Sequence, residues 1–184
     1  GTVTSIGYLA FSETGITSLT LGYGIPIIGY GAFRKCSNLT GPVVIPDSVT
    51  FISASAFEVT AITSLTIPRF LPNISHNFCY QCTKLTGHLN LSNIQIIEVG
   101  AFSMSLITSI ELGKNLERID DKAFGDCKAL TGIINLLDNV RKLGMFVFQR
   151  TKITSVTFGS KLAQIPMFGF YECYALTGPL IIPN

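Results

Sequence analysis

The stretch Ile28–Ile52, IGYGAFRKCSNLTGPVVIPDSVTFI, contains every part of a unit that recurs along the chain. Its order is an isoleucine, an Ala-Phe pair, a cysteine, a leucine, and then a short run in which apolar residues alternate. When the chain is aligned on Phe33, eight copies follow one another at intervals of 22 to 24 residues. A fixed period of this length indicates a repeat architecture, in which each unit packs against its neighbours. The chain is therefore predicted to form a solenoid of about eight coils.

Two positions of the unit should form ladders when the coils stack. The first is the aromatic position, and we number the coils 1 to 8 by its residues in chain order. These residues are Phe11, Phe33, Phe57, Cys79, Phe102, Phe124, Phe148 and Phe170. The second is a cysteine on alternate coils, at Cys36, Cys82, Cys127 and Cys173. The other coils carry threonine or serine there, so the true period is a pair of coils. Equivalent atoms two coils apart lie about 10 Å from each other, too far for a disulfide, and we interpret these cysteines as small buried residues.

The alternating run at the end of each unit predicts a short strand. In the stretch quoted above, Val43 faces one side of the strand and Val44 faces the other. Stacked coils pair such strands in parallel, about 4.8 Å apart. Earlier in the unit, Ala32, Cys36 and Leu39 stand at helical spacing. We therefore expect a parallel β-sheet of about eight short strands on one side, with short helical or 3-10 turns on the other side.

The order I-x-x-x-A-F-x-x-C-x-x-L-T, followed by a strand, a proline and (D/N)-S-V-x-x-I, resembles the consensus of the BspA-like leucine-rich repeats. The resemblance covers essentially the whole chain. It implies a single leucine-rich-repeat solenoid over residues 1–184, α/β horseshoe-like but mostly β. It also implies an extracellular or cell-surface location and adhesion to host, matrix or cell-surface proteins. We expect the chain to be a segment of a longer exported or surface-attached protein.

The side chains that alternate with the buried ones form a candidate binding surface, the outward row. Its members are Thr20, Val44, Thr66, Asn90, Glu111, Asn135, Thr157 and Ile181. Parallel stacking should place them side by side, and solenoids use such faces as broad binding surfaces. The row is small, polar and nearly uncharged, without the Trp or Tyr anchors of strong interfaces. It suits a weak or multivalent protein contact, and the alternative is a structural spacer without a ligand of its own.

Composition and motifs narrow the classes of function. A net charge of +2 gives no reason to expect nucleic acid or an anionic membrane as partner. No apolar run approaches the ~18 residues that a membrane-spanning helix needs. Neither of the two histidines lies in a catalytic motif, and the adjacent acids Asp120 and Asp121 are typical of a solvated edge. We therefore expect neither catalytic activity nor a cofactor.

A metal-binding module is a further hypothesis. His76, Cys79 and Cys82, with His88 nearby, are residue types that zinc prefers. The repeat argues against a site, because Cys79 and Cys82 both occupy positions predicted to face the core. His88 starts a predicted strand and should face outward. Core packing is the interpretation that we favour.

Charge is unevenly distributed along the chain. The whole chain has 13 Lys and Arg residues and 11 Asp and Glu residues. Of these charged residues, 16 lie in residues 111–184. A basic cluster in this part comprises Arg141, Lys142, Arg150, Lys152 and Lys161. We favour a solubilising flank, and the alternative is a basic patch that contacts an acidic partner.

Overall fold

The computed structural model describes residues 3–182, so residues 1, 2, 183 and 184 of the predicted solenoid lie outside the described residues. Within residues 3–182 the chain winds as a parallel β-solenoid with two kinds of strand. The two-residue strands are β1 (Ser5–Ile6), β2 (Ile27–Ile28), β4 (Phe51–Ile52), β6 (Asn73–Ile74), β8 (Ile96–Ile97), β10 (Arg118–Ile119) and β12 (Lys142–Leu143). The longer strands are β3 (Thr40–Val44), β5 (Ala61–Thr66), β7 (Thr86–Leu91), β9 (Leu106–Leu112), β11 (Thr131–Asn135) and β13 (Lys152–Thr157). The prediction of a mostly β, parallel solenoid is confirmed.

Backbone pairing differs between the two kinds of strand. The two-residue strands form two parallel sheets, in the orders β1–β2–β4 and β6–β8–β10–β12. In the described part of the chain the longer strands pair only two by two, as β3–β5, β7–β9 and β11–β13. The expected continuous sheet is thus divided into pairs, and the runs at 19–21 and 180–182 form no strand. The long pairs join coils 2 and 3, coils 4 and 5, and coils 6 and 7. The two end runs belong to coils 1 and 8 and therefore have no strand to pair with.

The turns that carry the two ladder positions are not helical. Residues 3–182 contain no α-helix or 3-10 helix, so this part of the prediction is wrong. The Arg34 N–H donates to Gly31 O within its coil at 3.0 Å, whereas the Phe33 N–H donates to Ala56 O of the next coil at 2.9 Å. Left-handed φ values of 57° at Gly31 and 56° at Lys35 accompany this alternation. In a helix, the N–H groups donate to carbonyl groups of the same helix. The N–H groups that bond to the next coil are therefore not available to form a helix.

A column of phenylalanine rings runs through the core. Its members are Phe11, Phe33, Phe57, Phe78, Phe102, Phe124, Phe148 and Phe170. Neighbouring ring centroids lie between 5.3 and 6.0 Å apart, within the range of favourable aromatic pairs. Around the column, buried aliphatic residues from Ile6 to Val156 complete one hydrophobic cluster.

Coil 4 fills the column differently from the other coils. Cys79 keeps the backbone register of the aromatic position, because its N–H donates to Ala101 O of the next coil at 2.7 Å. The ring, however, comes from the preceding residue, Phe78. It meets Phe57 and Phe102 edge-on, at interplanar angles of 80° and 82°, whereas the other neighbours in the column lie within 16° of parallel. The ladder position predicted for Cys79 is therefore occupied by its backbone, and Phe78 supplies the aromatic side chain.

A glycine with a left-handed backbone is the second residue in the first strand of each long pair. Gly41, Gly87 and Gly132 have φ values of 81°, 86° and 86°. At each of them the pairing slips by one residue, a β-bulge on the partner strand. In β7–β9, Gly87 pairs with Ile107 and the following residue already pairs with Ser109. The bulge therefore sets the register of the residues that face outward.

Replacing Gly87 with alanine should lower the free energy of unfolding by about 1–2 kcal/mol, the usual cost of a left-handed backbone for an L-residue. No atom lies within 4 Å of the Cβ that the change would add, so the cost is conformational and not steric. Urea denaturation followed by circular dichroism would measure it. Gly24→Ala is the matched control, since it also adds a Cβ to open space but without a left-handed φ. An equal loss in both variants would refute the conformational explanation.

Candidate functional site

The outward row lies exposed along the face formed by the longer strands. Its strand-borne members stand opposite one another in the three ladders. The aligned pairs are Val44 with Thr66, Asn90 with Glu111, and Asn135 with Thr157. Thr20 and Ile181, at the two ends of the predicted row, are exposed but lie outside any strand. The structure thus brings six of the eight predicted residues together in adjacent pairs.

A polar cluster of His88, Ser109 and Glu111 occupies the middle of this face. The Nδ1 atom of His88 lies 3.0 Å from the Ser109 Oγ. Its Nε2 atom lies 3.8 Å from the Glu111 Oε2. Sequence reasoning placed His88 and Glu111 on the outer side of their strands but did not single out Ser109. The available signal was its position two residues before Glu111, which places both side chains on the same face.

Two shallow cavities flank His88. One has a volume of about 260 Å³, and its polar lining includes Arg69 and Asn90. The other, of about 220 Å³, is lined by His88, Glu111 and Asn135 among others. Both are smaller than the roughly 300–1,000 Å³ typical of small-molecule sites. They suit single side chains of a macromolecular partner better than a substrate or cofactor.

The order serine, histidine, glutamate is that of a nucleophile, a base and an orienting acid. Here the His88–Glu111 separation of 3.8 Å exceeds a hydrogen bond. The two side chains are also 54% and 56% exposed, so water competes for both. Catalytic triads depend on a buried acid that fixes the imidazole. The three residues therefore do not have the geometry of a catalytic triad.

Carboxylates fix the loops beside the row. Asp47 accepts hydrogen bonds from the Arg69 backbone N–H at 2.9 Å and from its Nε at 2.7 Å. These bonds, the backbone bond above all, hold the pKa of Asp47 below its ordinary value. Asp138 repeats the arrangement with the N–H and hydroxyl of Ser160, at 2.9 and 3.0 Å, and its pKa is lowered in the same way. Loops tied in this manner lose less freedom when a partner binds.

The cysteine ladder is buried, and its thiols form hydrogen bonds across coil boundaries. Cys127 donates to Phe102 O of the preceding coil at 3.1 Å and lies 3.4 Å from the Ser105 hydroxyl. The same arrangement recurs at Cys36, Cys82 and Cys173. Burial raises the pKa of Cys127 to about 12, although the hydrogen bonds with Ser105 act in the opposite direction. The alternation of cysteine with threonine or serine therefore has a hydrogen-bonding role besides packing.

The structure separates the residues of the metal-binding hypothesis. Cys79 and Cys82 are fully buried, whereas His76 is exposed and its backbone N–H donates to Glu98 at 2.9 Å. His88 lies on the outward face. Among the described residues, no group of three or more His, Cys, Asp or Glu side chains is placed to hold a metal ion. The same part of the chain has no helix long and apolar enough to cross a membrane.

Acidic residues of neighbouring coils pair with part of the basic cluster. Arg150 Nε lies 2.7 Å from Glu172 Oε2, and its guanidinium also lies 3.4 Å from Asp126. The bonds to Glu172, and then those to Asp126, raise the pKa of Arg150. Lys142 Nζ lies 3.4 Å from Asp120. These pairs reduce the net positive charge of the cluster and favour the solubilising-flank interpretation.

Parallel coils stacked on a phenylalanine column, with buried leucines and isoleucines at fixed positions, define a leucine-rich-repeat solenoid. The chain belongs to the BspA-type leucine-rich repeat family. The family model for the BspA type leucine rich repeat region matches residues 4–131 and 95–182, with 6 copies of the repeat. No curated protein matches the chain at a significant level.

Solved structures of bacterial leucine-rich repeat proteins have the same fold. A T. pallidum leucine rich repeat protein superposes with a TM-score of 0.70 at 23% identity, over 80% of this chain and 70% of its own. A leucine-rich repeat protein from Bacteroides ovatus gives 0.69 at 22% identity, over 95% of this chain and 57% of its own. A leucine rich cell surface protein from Faecalibacterium prausnitzii gives 0.55 at 18% identity, over 99% and 71%. Identities this low establish the shared fold alone.

Proposed function

We propose that the chain is a non-catalytic protein-binding module of a surface or secreted protein and that its partner docks on the outward row. The observation that carries the proposal is the His88–Ser109–Glu111 cluster, which lies between two cavities at the centre of the exposed face. The neighbouring members of the row, Thr66, Asn90 and Asn135, have short side chains, so a partner can approach the strands closely there. Polar groups at the centre can then exchange hydrogen bonds with it, as in other wet protein interfaces.

The partner that we propose is a host, matrix or cell-surface protein, bound in adhesion. Leucine-rich repeats of this family are scaffolds for protein contacts, and one structural relative is described as a cell surface protein. The row has no Trp or Tyr, and Val44 is its most apolar strand-borne member. Affinity per contact should therefore be modest and should rise when several modules bind together.

A pull-down tests this proposal. The intact chain serves as bait against extracellular-matrix and cell-surface proteins, beside a variant with Thr66→Lys, Asn90→Lys and Glu111→Lys. The three lysines add bulk and positive charge to the centre of the row. We expect the captured partner to bind the variant at least about tenfold more weakly, because unpaired charges in an interface are costly.

The matched control carries Thr50→Lys, Asn115→Lys and Glu117→Lys. These residues are of the same types, are exposed, and lie in the connections that lead to the two-residue strands. The control should capture the partner as the unchanged chain does. Equal capture by the row variant would rule out the outward row as the binding site. If no bait captures a protein, the structural-spacer alternative gains support.

A further inference from the structure

Coil 4 places two cysteines in one turn, because Cys79 replaces the phenylalanine of the other coils and Cys82 follows three residues later. The Cys82 N–H donates to Cys79 O at 3.2 Å. A turn closed in this way holds its first and last Cα atoms within about 7 Å of each other. Both side chains are fully buried in the core, and the Cys82 thiol lies close enough to Cys79 to influence its pKa.

This arrangement meets the two requirements of a disulfide. The Cα atoms must lie about 4.4–6.8 Å apart, and the side chains must point toward each other. The closed turn favours the first requirement, and the burial of both side chains on the core side of this one turn favours the second. Coils 2, 6 and 8 differ, because a phenylalanine occupies the position of Cys79 there. Their ladder cysteines therefore lack a second thiol in the same turn.

We propose that Cys79 and Cys82 form an intramolecular disulfide when the chain folds in an oxidising environment. With a small-molecule disulfide as oxidant, one cysteine thiolate attacks it, forms a mixed disulfide and releases one small thiol. The second cysteine then attacks the protein sulfur of the mixed disulfide and displaces the other small thiol. In sum, two cysteine thiols are oxidised to one disulfide, and the oxidant is reduced to two thiols.

The hydrogen bonds around Cys82 allow this oxidation without leaving a buried polar group unpaired. In the reduced chain, the Cys82 thiol donates to Phe57 O at 3.0 Å. That proton is lost when the disulfide forms. The Thr60 hydroxyl donates to the same oxygen at 2.9 Å, so the buried carbonyl keeps a partner. The same hydroxyl lies 3.3 Å from the Cys82 sulfur and can remain in place.

Burial determines when the bond forms. It raises the pKa of the Cys79 thiol well above its ordinary value, and the neighbouring Cys82 thiol adds to the effect. Both sulfur atoms are also fully buried, so an oxidant in solution cannot reach them once the chain has folded. Oxidation should accompany folding, while the turn is still accessible, and the finished disulfide should then resist reduction.

The experiment starts from the reduced chain unfolded in denaturant and refolds it in a buffer of oxidised and reduced glutathione. Free thiols are trapped by alkylation and counted by intact mass, and proteolysis with mass spectrometry maps the linkage. We expect two of the five cysteines to be oxidised and joined as Cys79–Cys82, in a chain with a native circular dichroism spectrum. The ratio of oxidised to reduced pair should exceed that of the unfolded chain in the same buffer by at least about tenfold.

The variant Cys79→Ala provides the control, and it should keep all four remaining thiols free after refolding. A refolded chain that retains five free thiols would overturn the proposal, as would a link between other cysteines. An oxidised product without the native spectrum would also overturn it. So would a ratio no higher in the folded than in the unfolded chain, since the fold would then not favour the bond.

Discussion

Replacing Phe78 with alanine is expected to lower the free energy of unfolding by about 3–5 kcal/mol, as for other fully buried phenylalanines. The ring has no solvent exposure and lies between Phe57 and Phe102 in the core column. Its removal leaves a cavity in the middle of the column. The coils on both sides are fixed by backbone hydrogen bonds and cannot close it. Equilibrium denaturation in guanidinium, extrapolated to water, measures the loss.

The double variant Phe78→Ala/Cys79→Phe should recover most of this loss. It restores the Ala-Phe order of the other coils, and the Cys79 backbone already has the register of the aromatic position. The restored ring should stack as its neighbours do, to within about 1.5 kcal/mol of the original stability. A double variant that is no more stable than Phe78→Ala would show that coil 4 cannot hold a ring from position 79.

Replacing Gly113 with alanine is the second change with a large expected effect. The Cβ would overlap the backbone carbonyl of Ser92 in the preceding coil. A backbone atom cannot rotate away as a side chain can, and neighbouring ladders hold both coils in place. We expect a loss of about 1–3 kcal/mol in the free energy of unfolding, the range for overpacked sites. The midpoint of denaturation should fall without a change in its slope.

Gly22 supplies the matched control for this close approach. It ends the corresponding run of coil 1, and nothing lies within 4 Å of its Cβ position. Gly22→Ala should change the stability by no more than about 0.5 kcal/mol. A loss equal to that of Gly113→Ala would mean that the approach to Ser92 is not the cause.

Periodicity in the sequence was sufficient to predict the architecture. The 22- to 24-residue spacing predicted stacked coils, and the alternation around Val44 and Asn90 predicted the exposed face. These predictions succeed because a repeat imposes the same environment on each copy. The positions that are buried in one coil could therefore be used to predict the buried positions of the next coil.

The details that depend on competition between coils were not predictable. The spacing of Ala32 and Cys36 also fits a helix, and only stacking shows that alternate N–H groups bond to the next coil. At coil 4, the sequence alone does not show that Phe78 fills the column while Cys79 holds the backbone register. The approach of His88 to Ser109 likewise depends on the bulge after Gly87, a contact between strands that a single strand's pattern does not contain.

Coil 8 forms no strand among its described residues, so no strand pairing joins it to coil 7. Among coils 1 to 7, strand pairing is interrupted on both faces of the solenoid at one boundary, between coils 3 and 4. In the described part of the chain, β4 ends one sheet of short strands and β6 begins the other, while β5 and β7 belong to different long pairs. Hydrogen bonds between turns, such as Phe57 N–H to Phe78 O at 3.0 Å, still join the two coils.

A stack whose coils touch only their neighbours behaves as a one-dimensional series of coupled units, and such a series opens where the coupling is weakest. Amide hydrogen exchange in the native state should therefore divide coils 1 to 7 into two cooperative blocks, coils 1 to 3 and coils 4 to 7. Opening at their junction should require less free energy than opening inside either block. Under a stretching force, coils 1 to 7 should part at this junction first.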